Sequence, residues 1–351
     1  MCLSSGARAE SSKRHYRFVT WRIMNFRFWL GLFISALFLY IAFHDVDLAL
    51  LLHSIKSTSI PLTILVVALT ICFYLIRALR WFYLLKPIKR IGLPSLFTST
   101  VIGFAANFVL PFRLGELIRA NQIGRMESIS RSSSFATIVI ERLFDSFTIL
   151  LILLFVILYI DFPGEWESMG RALRTAGFGL VSLVILLILL LIVLKEKSEA
   201  FIEIVNRLLF FLPSGAKQRA LHSIRDFSSG LVLVKNPSQL VAIMFYSLCL
   251  WCLTVFQIYI FGISMGVSLP FLAPFLILTL LCFSVTLPSA PGYLGTFHLA
   301  CQYGLIFYGL SKEKALSMAI VLHAAGFVPT VILGFILFLF HHITLRSLTN
   351  V

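Results

Sequence analysis

Seven stretches of this chain stay apolar for the roughly 17–25 residues that a helix needs to cross a hydrocarbon core: 28–44, 60–85, 133–160, 172–194, 238–262, 292–310 and 315–341. In lipid a backbone must satisfy its own hydrogen bonds, so a long apolar run has the helix as its solution. Composition agrees. Of 351 residues, 59% are apolar and 13% charged, against about half and a quarter in a soluble domain. The expected fold is all-α, a polytopic integral membrane protein of about seven transmembrane helices plus two re-entrant or broken segments.

The formal charge of +14 reads as topology, because basic residues collect in cytoplasmic loops and against anionic head groups. Nucleic acid is not an expected partner. Residues 1–27 form a basic tail carrying Arg8, Lys13, Arg14, Arg17, Arg22 and Arg27, with no small-residue cleavage signature after it. It is expected to stay uncleaved on the cytoplasmic side of the cell (inner) membrane. The transmembrane domain then covers 28–345. Its one sizeable loop, 195–237, interleaves basic and apolar residues and is expected to be a cytoplasmic amphipathic hairpin. Arg346 places the C-terminus inside, while Lys312 and Lys314 pull the other way, so that side stays open. The six cysteines lie almost all in apolar runs and Cys249-Leu-Trp-Cys252 has no second ligand pair, so packing is their expected role, with no metal and no cofactor.

Two segments do not fit simple spans. Residues 91–112 are apolar yet bracketed by Lys86, Lys89 and Arg90 on one side and Arg113, Arg119, Arg125 and Arg131 on the other. Both ends should therefore face the cytoplasm, and the solution is a re-entrant hairpin with its broken backbone buried in protein or lining a wet cavity. Residues 271–298 are interrupted by Pro274, Pro288, Pro291, Gly292 and Gly295. Leu110-Pro111-Phe-Arg-Leu-Gly115-Glu-Leu117 aligns with Leu287-Pro288-Ser-Ala-Pro-Gly292-Tyr-Leu294 at an offset of 177, with Leu, Pro, Gly and Leu matching. With three spans between them, the copies would enter from opposite faces, as in transporters built from inverted repeats. Two unrelated Pro/Gly kinks are the plainer alternative.

A charge held inside a membrane costs several kcal/mol, so it usually faces a cavity and has a partner. Arg77 and Arg80 share a helix face beside Trp81, and snorkelling at the helix end would also account for them. Glu141 and Asp145 share a face, with Arg142 in reach of Asp145. Pro111 and Gly115 let the backbone break, as do Pro288, Pro291, Gly292 and Gly295. Near the first break, Arg113 and Arg119 could hold a phosphate, Arg113 by a bidentate fork, with Glu116 balancing charge. A purely topological role for these arginines competes. Asn107, Ser289, Thr296 and His298 are expected to line the same cavity, although a lone histidine also serves as a helix-packing donor.

Arg77-Ala-Leu-Arg80-Trp81, Asn107-Phe-Val-Leu-Pro111-Phe-Arg113-Leu-Gly115-Glu116-Leu-Ile-Arg119, Glu141-Arg142-Leu-Phe-Asp145 and Leu287-Pro288-Ser-Ala-Pro291-Gly292-Tyr-Leu-Gly295-Thr-Phe resemble, in order and spacing, the lysylphosphatidylglycerol synthase transmembrane (flippase-like, UPF0104) family over about 30–340. The resemblance implies a lipid-translocating module, fused in some members to an aminoacyl transferase and free-standing in others. The chain reaches Val351 with no transferase stretch, so any role with aminoacylated lipid is expected to be transport alone. His298 stands where the family often has an acidic residue, which puts a shared charge-coupling role there in doubt.

The expected function is therefore flipping or scrambling of an anionic phospholipid, an aminoacylated phospholipid or a polyprenyl lipid or glycolipid. Arg80, Arg113, Arg119 and Arg142 would hold the phosphate, and Glu116, Glu141 and Asp145 would balance charge or couple protons. A separate lipid-modifying synthase or glycosyltransferase, and a second copy of the chain, are the protein partners considered. Without a Gly-x-x-x-x-Gly-Lys-Ser/Thr loop, ATP is not the direct energy source. The alternatives are a membrane-embedded transferase with Glu141 or Asp145 as general base, and a scaffold for an envelope-lipid enzyme. No catalytic residue is assigned.

Overall fold

The apolar runs become helices in a computed structural model that describes residues 29–30, 32–110, 113–196, 198–211, 214–230, 237–287 and 289–340. The expectations for the 1–27 tail, Pro111, Pro288 and Arg346 lie outside the described residues. Five helices are long and apolar enough to cross a membrane: α3 (Ile60–Leu85), α6 (Arg131–Tyr159), α7 (Glu167–Glu196), α10 (Pro237–Ser264) and α13 (Lys312–Phe340). A sixth candidate is α1 (Leu32–Phe43), which turns through 89° into α2 (Leu48–Lys56). Asp47 stops that turn by accepting hydrogen bonds from the amides of Ala49 and Leu50.

The seventh expected span is corrected. Residues 292–310 contain only α12 (Thr296–Ile306), 11 residues and about 16 Å long, too short to cross. It is instead the returning arm of a broken hairpin whose entering arm is α11 (Ala273–Ser284). The first hairpin is also larger than its apolar stretch. Its entering arm, α4 (Leu93–Val109), takes up most of 91–112, and the polar helix α5 (Gly115–Glu127) returns. The ends that share a face are those of the whole hairpin and not those of 91–112, whose second end lies at the tip: Lys89 Nζ donates to the Glu127 carbonyl at 2.6 Å and pairs with its carboxylate at 3.2 Å, whereas Arg113 meets Val285 of the other hairpin. Because neighbouring helices pack around α5, its Arg119, Asn121 and Gln122 are buried.

α3 through α6 and α10 through α13 repeat the same order of span, two hairpin arms and span. Side chains register the repeat. Arg80 donates to Ser247 Oγ at 2.9 Å, and Gln257 donates to Thr70 Oγ1 at 3.1 Å. These are the same pair of positions exchanged between α3 and α10, since 80 and 257, like 70 and 247, lie 177 apart. The Ser59 amide at the start of α3 donates to the Ser264 carbonyl at the end of α10, so the helices run antiparallel and the halves are inverted. Because the second hairpin returns to the face it entered, α13 brings Phe340 to the same face as α8 (Ser198–Leu208) and α9 (Ser214–Gly230). α9 is held to the start of α6, where Ser130 Oγ donates to Asp226 at 2.6 Å and Ser133 Oγ to the Asp226 carbonyl at 2.7 Å.

The first hairpin closes glycine on glycine. A Cβ on Gly115 would lie 1.9 Å from the Gly103 carbonyl oxygen, and one on Gly103 would lie 2.8 Å from Arg119 Cβ. Gly115→Ala is expected to destabilise the protein by about 1–3 kcal/mol through overpacking, read as a fall in the midpoint of heat-induced loss of the monodisperse peak. Gly179→Ala on α7, where a Cβ meets nothing within 4 Å, should leave that midpoint unchanged or raise it.

Candidate functional site

The intramembrane charges converge on one carboxylate. Glu141, fully buried on α6, receives Arg77 at 2.9 Å, Arg80 at 3.1 Å, Arg119 at 3.0 Å and Arg142 at 2.6 Å. One turn on, Asp145 takes Arg80 at 2.6 Å, Arg142 at 3.2 Å and Arg77 at 3.5 Å. Three helices supply these groups, α3, α5 and α6, so the network ties the first repeat together. The snorkelling account of Arg77 and Arg80 fails: their exposures are 4% and 0%, because the carboxylates pull them inward. Aromatic faces complete the shell. The Arg77 guanidinium lies 4.8 Å from the Phe73 ring centre and 4.6 Å from that of Phe104, and Arg119 stacks at 3.7 Å on Trp81. Trp81 is fixed by its Nε1 donating to Thr137 at 2.9 Å.

Next to this network is a cavity of about 450 Å³ whose wall draws on both repeats. Its charged lining is Arg77, Arg113, Glu116, Arg142 and Asp145; Asn107, Trp251, Gln257 and Tyr293 add polar and aromatic groups. Arg142 reaches it with its side chain 29% exposed and lies 3.8 Å from Glu116. The two hairpin tips meet at the cavity. Arg113 Nη2 donates to the Val285 carbonyl at 2.9 Å, its guanidinium sits 5.7 Å from the Tyr293 ring centre, and Phe108 meets Tyr293 edge to face.

The expected site residues therefore divide. Asn107, Arg113, Glu116, Arg142 and Asp145 line the cavity. Arg80, Arg119 and Glu141 do not; they stand behind its wall, paired with one another, so in this structure Arg80 and Arg119 support the groups in front. Ser289, Thr296 and His298 are not on the wall either. Thr296 and His298 are buried at the start of α12, where Thr296 donates to the Tyr293 carbonyl at 3.2 Å and the Gly295 amide donates to His298 Nδ1 at 3.4 Å. His298 packs against His323, which contacts the Gly292 carbonyl at 2.8 Å.

The breaks differ from their expected chemistry. Gly115 serves close approach, while the left-handed residue of the first tip is Arg113 itself, with φ +53. In the second tip Gly292 and Gly295 have φ +75 and +84, and a Cβ on Gly295 would lie 2.5 Å from the Ser35 carbonyl oxygen. Pro291 opens the short turn that precedes Tyr293. Sequence reasoning missed Ser35, whose Oγ accepts from the Ala290 amide at 2.7 Å, and also Tyr293, His323 and Cys282.

A family model described as the lysylphosphatidylglycerol synthase TM region matches residues 28–334. Among curated proteins the chain is 22% identical over 319 residues to a UPF0104 membrane protein of Methanocaldococcus jannaschii, covering 87% of this chain and 92% of that one. It is 24% identical over 277 residues to a UPF0104 membrane protein of Pyrococcus horikoshii, covering 74% and 81%.

Proposed function

The chain belongs to the lysylphosphatidylglycerol synthase transmembrane-region family, and from that premise we propose that it carries an anionic lipid across the bilayer. The observation that carries the reading is the cavity where the two inverted hairpins meet: Arg77, Arg113 and Arg142 line it beside Glu116 and Asp145, and the hairpin tips touch there. A head group would be held by Arg113 and Arg142, with Arg77 at the wall, while its chains stay in lipid. The aromatic and aliphatic lining suits the apolar part of such a molecule. Movement would follow a concentration gradient or an ion gradient, and a separate synthase or glycosyltransferase would supply or use the lipid.

A transferase reading has less support from the same geometry. A general base must reach the proton that it takes, whereas Glu141 is fully buried under four arginines and Asp145 is bonded to three. The test is translocation by purified protein in liposomes, using head-group-labelled anionic lipid and a membrane-impermeant quencher. Wild type should expose inner-leaflet label quickly; no crossing would reject the reading.

A steric variant supplies a control independent of charge. Gly326 on α13 lines the cavity, and a Cβ there meets nothing within 4 Å. Gly326→Leu should fill the passage without overpacking and slow translocation about tenfold, taking one to two kcal/mol as the scale of an added barrier, with the melting midpoint unchanged. Wild-type rates in that variant would place the passage elsewhere.

A further inference from the structure

We propose that the cavity selects a lipid whose head group ends in a doubly charged phosphate, a phosphomonoester or a diphosphate, over the singly charged phosphodiester of common phospholipids. The inference rests on the translocation reading and narrows its substrate. Around the cavity, five guanidinium groups, Arg77, Arg80, Arg113, Arg119 and Arg142, meet three carboxylates, Glu116, Glu141 and Asp145. Among the described residues no other charged side chain lines the wall. Two positive charges are thus left without a carboxylate.

The arginines that a ligand in the cavity can reach are Arg77, Arg113 and Arg142. Behind the wall, Arg80 pairs with Glu141 and Asp145 and Arg119 with Glu141 alone, and the Nε and Nη2 of both lack a hydrogen-bond partner. In front, Arg77 and Arg142, the former 4% exposed, each keep a buried Nε without a hydrogen-bond partner. Arg113 is tied to protein by one hydrogen bond, to a neutral carbonyl that leaves its charge uncompensated. A phosphodiester cancels one of the two charges. A terminal phosphate cancels both near neutral pH, because its second ionisation falls near pH 6, and its three oxygens match several guanidinium forks at once.

The test compares two lipids with the same acyl chains, dioleoylphosphatidic acid and dioleoylphosphatidylmethanol, titrated against the full-length protein in phosphatidylcholine nanodiscs. At pH 7.5 phosphatidic acid should bind about tenfold or more tightly, the scale of one extra unit charge at a few ångströms. At pH 5, where the phosphomonoester carries close to one charge, the two should come within about twofold. Arg113→Gln, outside the buried network, should reduce the preference towards equality, and Glu116→Gln should widen it. Equal affinities at pH 7.5, or a preference indifferent to pH, overturn the proposal even if both lipids cross in liposomes, which leaves translocation standing. A preference of the stated size with no lipid crossing supports the charge assignment and removes transport instead. Inorganic phosphate that displaces the lipid at equal concentration would make this a soluble-phosphate site and overturn the lipid assignment.

Discussion

Glu141→Gln is expected to cost the protein its stable fold. The substitution keeps the shape of the side chain and removes the charge on which Arg77, Arg80, Arg119 and Arg142 converge at 2.6–3.1 Å. Removing one partner of a buried ion pair costs about 3–5 kcal/mol, because the remaining charge is left without compensation; here Arg119 loses its carboxylate and Asp145 remains to serve the other three. At a few degrees per kcal/mol the melting midpoint should fall by about 10 °C or more, with loss of the monodisperse species after mild heating in detergent. The pairing argument also predicts a rescue. Adding Arg119→Met removes the cation that depends on Glu141 alone and keeps a side chain able to lie on Trp81, so the double variant should regain at least half of the lost midpoint. A single variant that melts with wild type would show that the network does not hold the first repeat together.

How much of this was legible in the sequence follows from what each residue's surroundings depend on. Apolar length alone locates α3, α6, α7, α10 and α13, since the bilayer fixes it. The flanking charges of 91–112 pointed to a re-entrant segment, but the second end of that stretch lies at the tip, and the ends that share a face are Lys89 and Glu127. The same logic failed at α5. A helix as polar as Gly115–Glu127 reads as a loop outside lipid, yet protein surrounds it and its arginine, asparagine and glutamine are buried. Hydropathy cannot separate a helix that meets water from one enclosed by other helices. It failed in the opposite direction at 292–310, where the apolar stretch is long enough but the helix is broken by the left-handed Gly292, Tyr293 and Gly295.

At the site, residue type was readable and depth was not. Glu141, Arg142 and Asp145 showed their pairing through helical spacing. That Arg80 and Arg119 stand behind the wall while Arg113 and Arg142 face the cavity depends on which side of α3, α5 and α6 meets the second repeat, and no local pattern encodes that. The inverted repeat was visible as four matched residues. Its firmer signature, the exchanged Arg80–Ser247 and Gln257–Thr70 pairs, shares no residue type at its donors and needs the fold to be seen.

Arg113→Gly should separate stability from transport. Arg113 is a non-glycine residue at φ +53, on an exposed tip, making one hydrogen bond to the Val285 carbonyl. A left-handed conformation costs a side-chain-bearing residue about 1–2 kcal/mol that glycine does not incur, and a single hydrogen bond near solvent contributes about 1 kcal/mol. The two terms nearly cancel, so the melting midpoint should stay within a few degrees of wild type. Transport should not survive. The substitution removes the cation that faces the cavity at the meeting of the hairpins, and with it the link between them. Loss of a charge-assisted phosphate contact, on the scale of 2–3 kcal/mol, corresponds to a fall in translocation of about a hundredfold. Arg113→Ala should lose as much transport and also melt lower, because alanine keeps the backbone strain and loses the hydrogen bond. Strain held at a tip where the sequence could have used glycine is the mark of a residue kept for what its side chain does. Wild-type translocation in the glycine variant would remove Arg113 from the site and leave Arg142 and Arg77 to carry the head group.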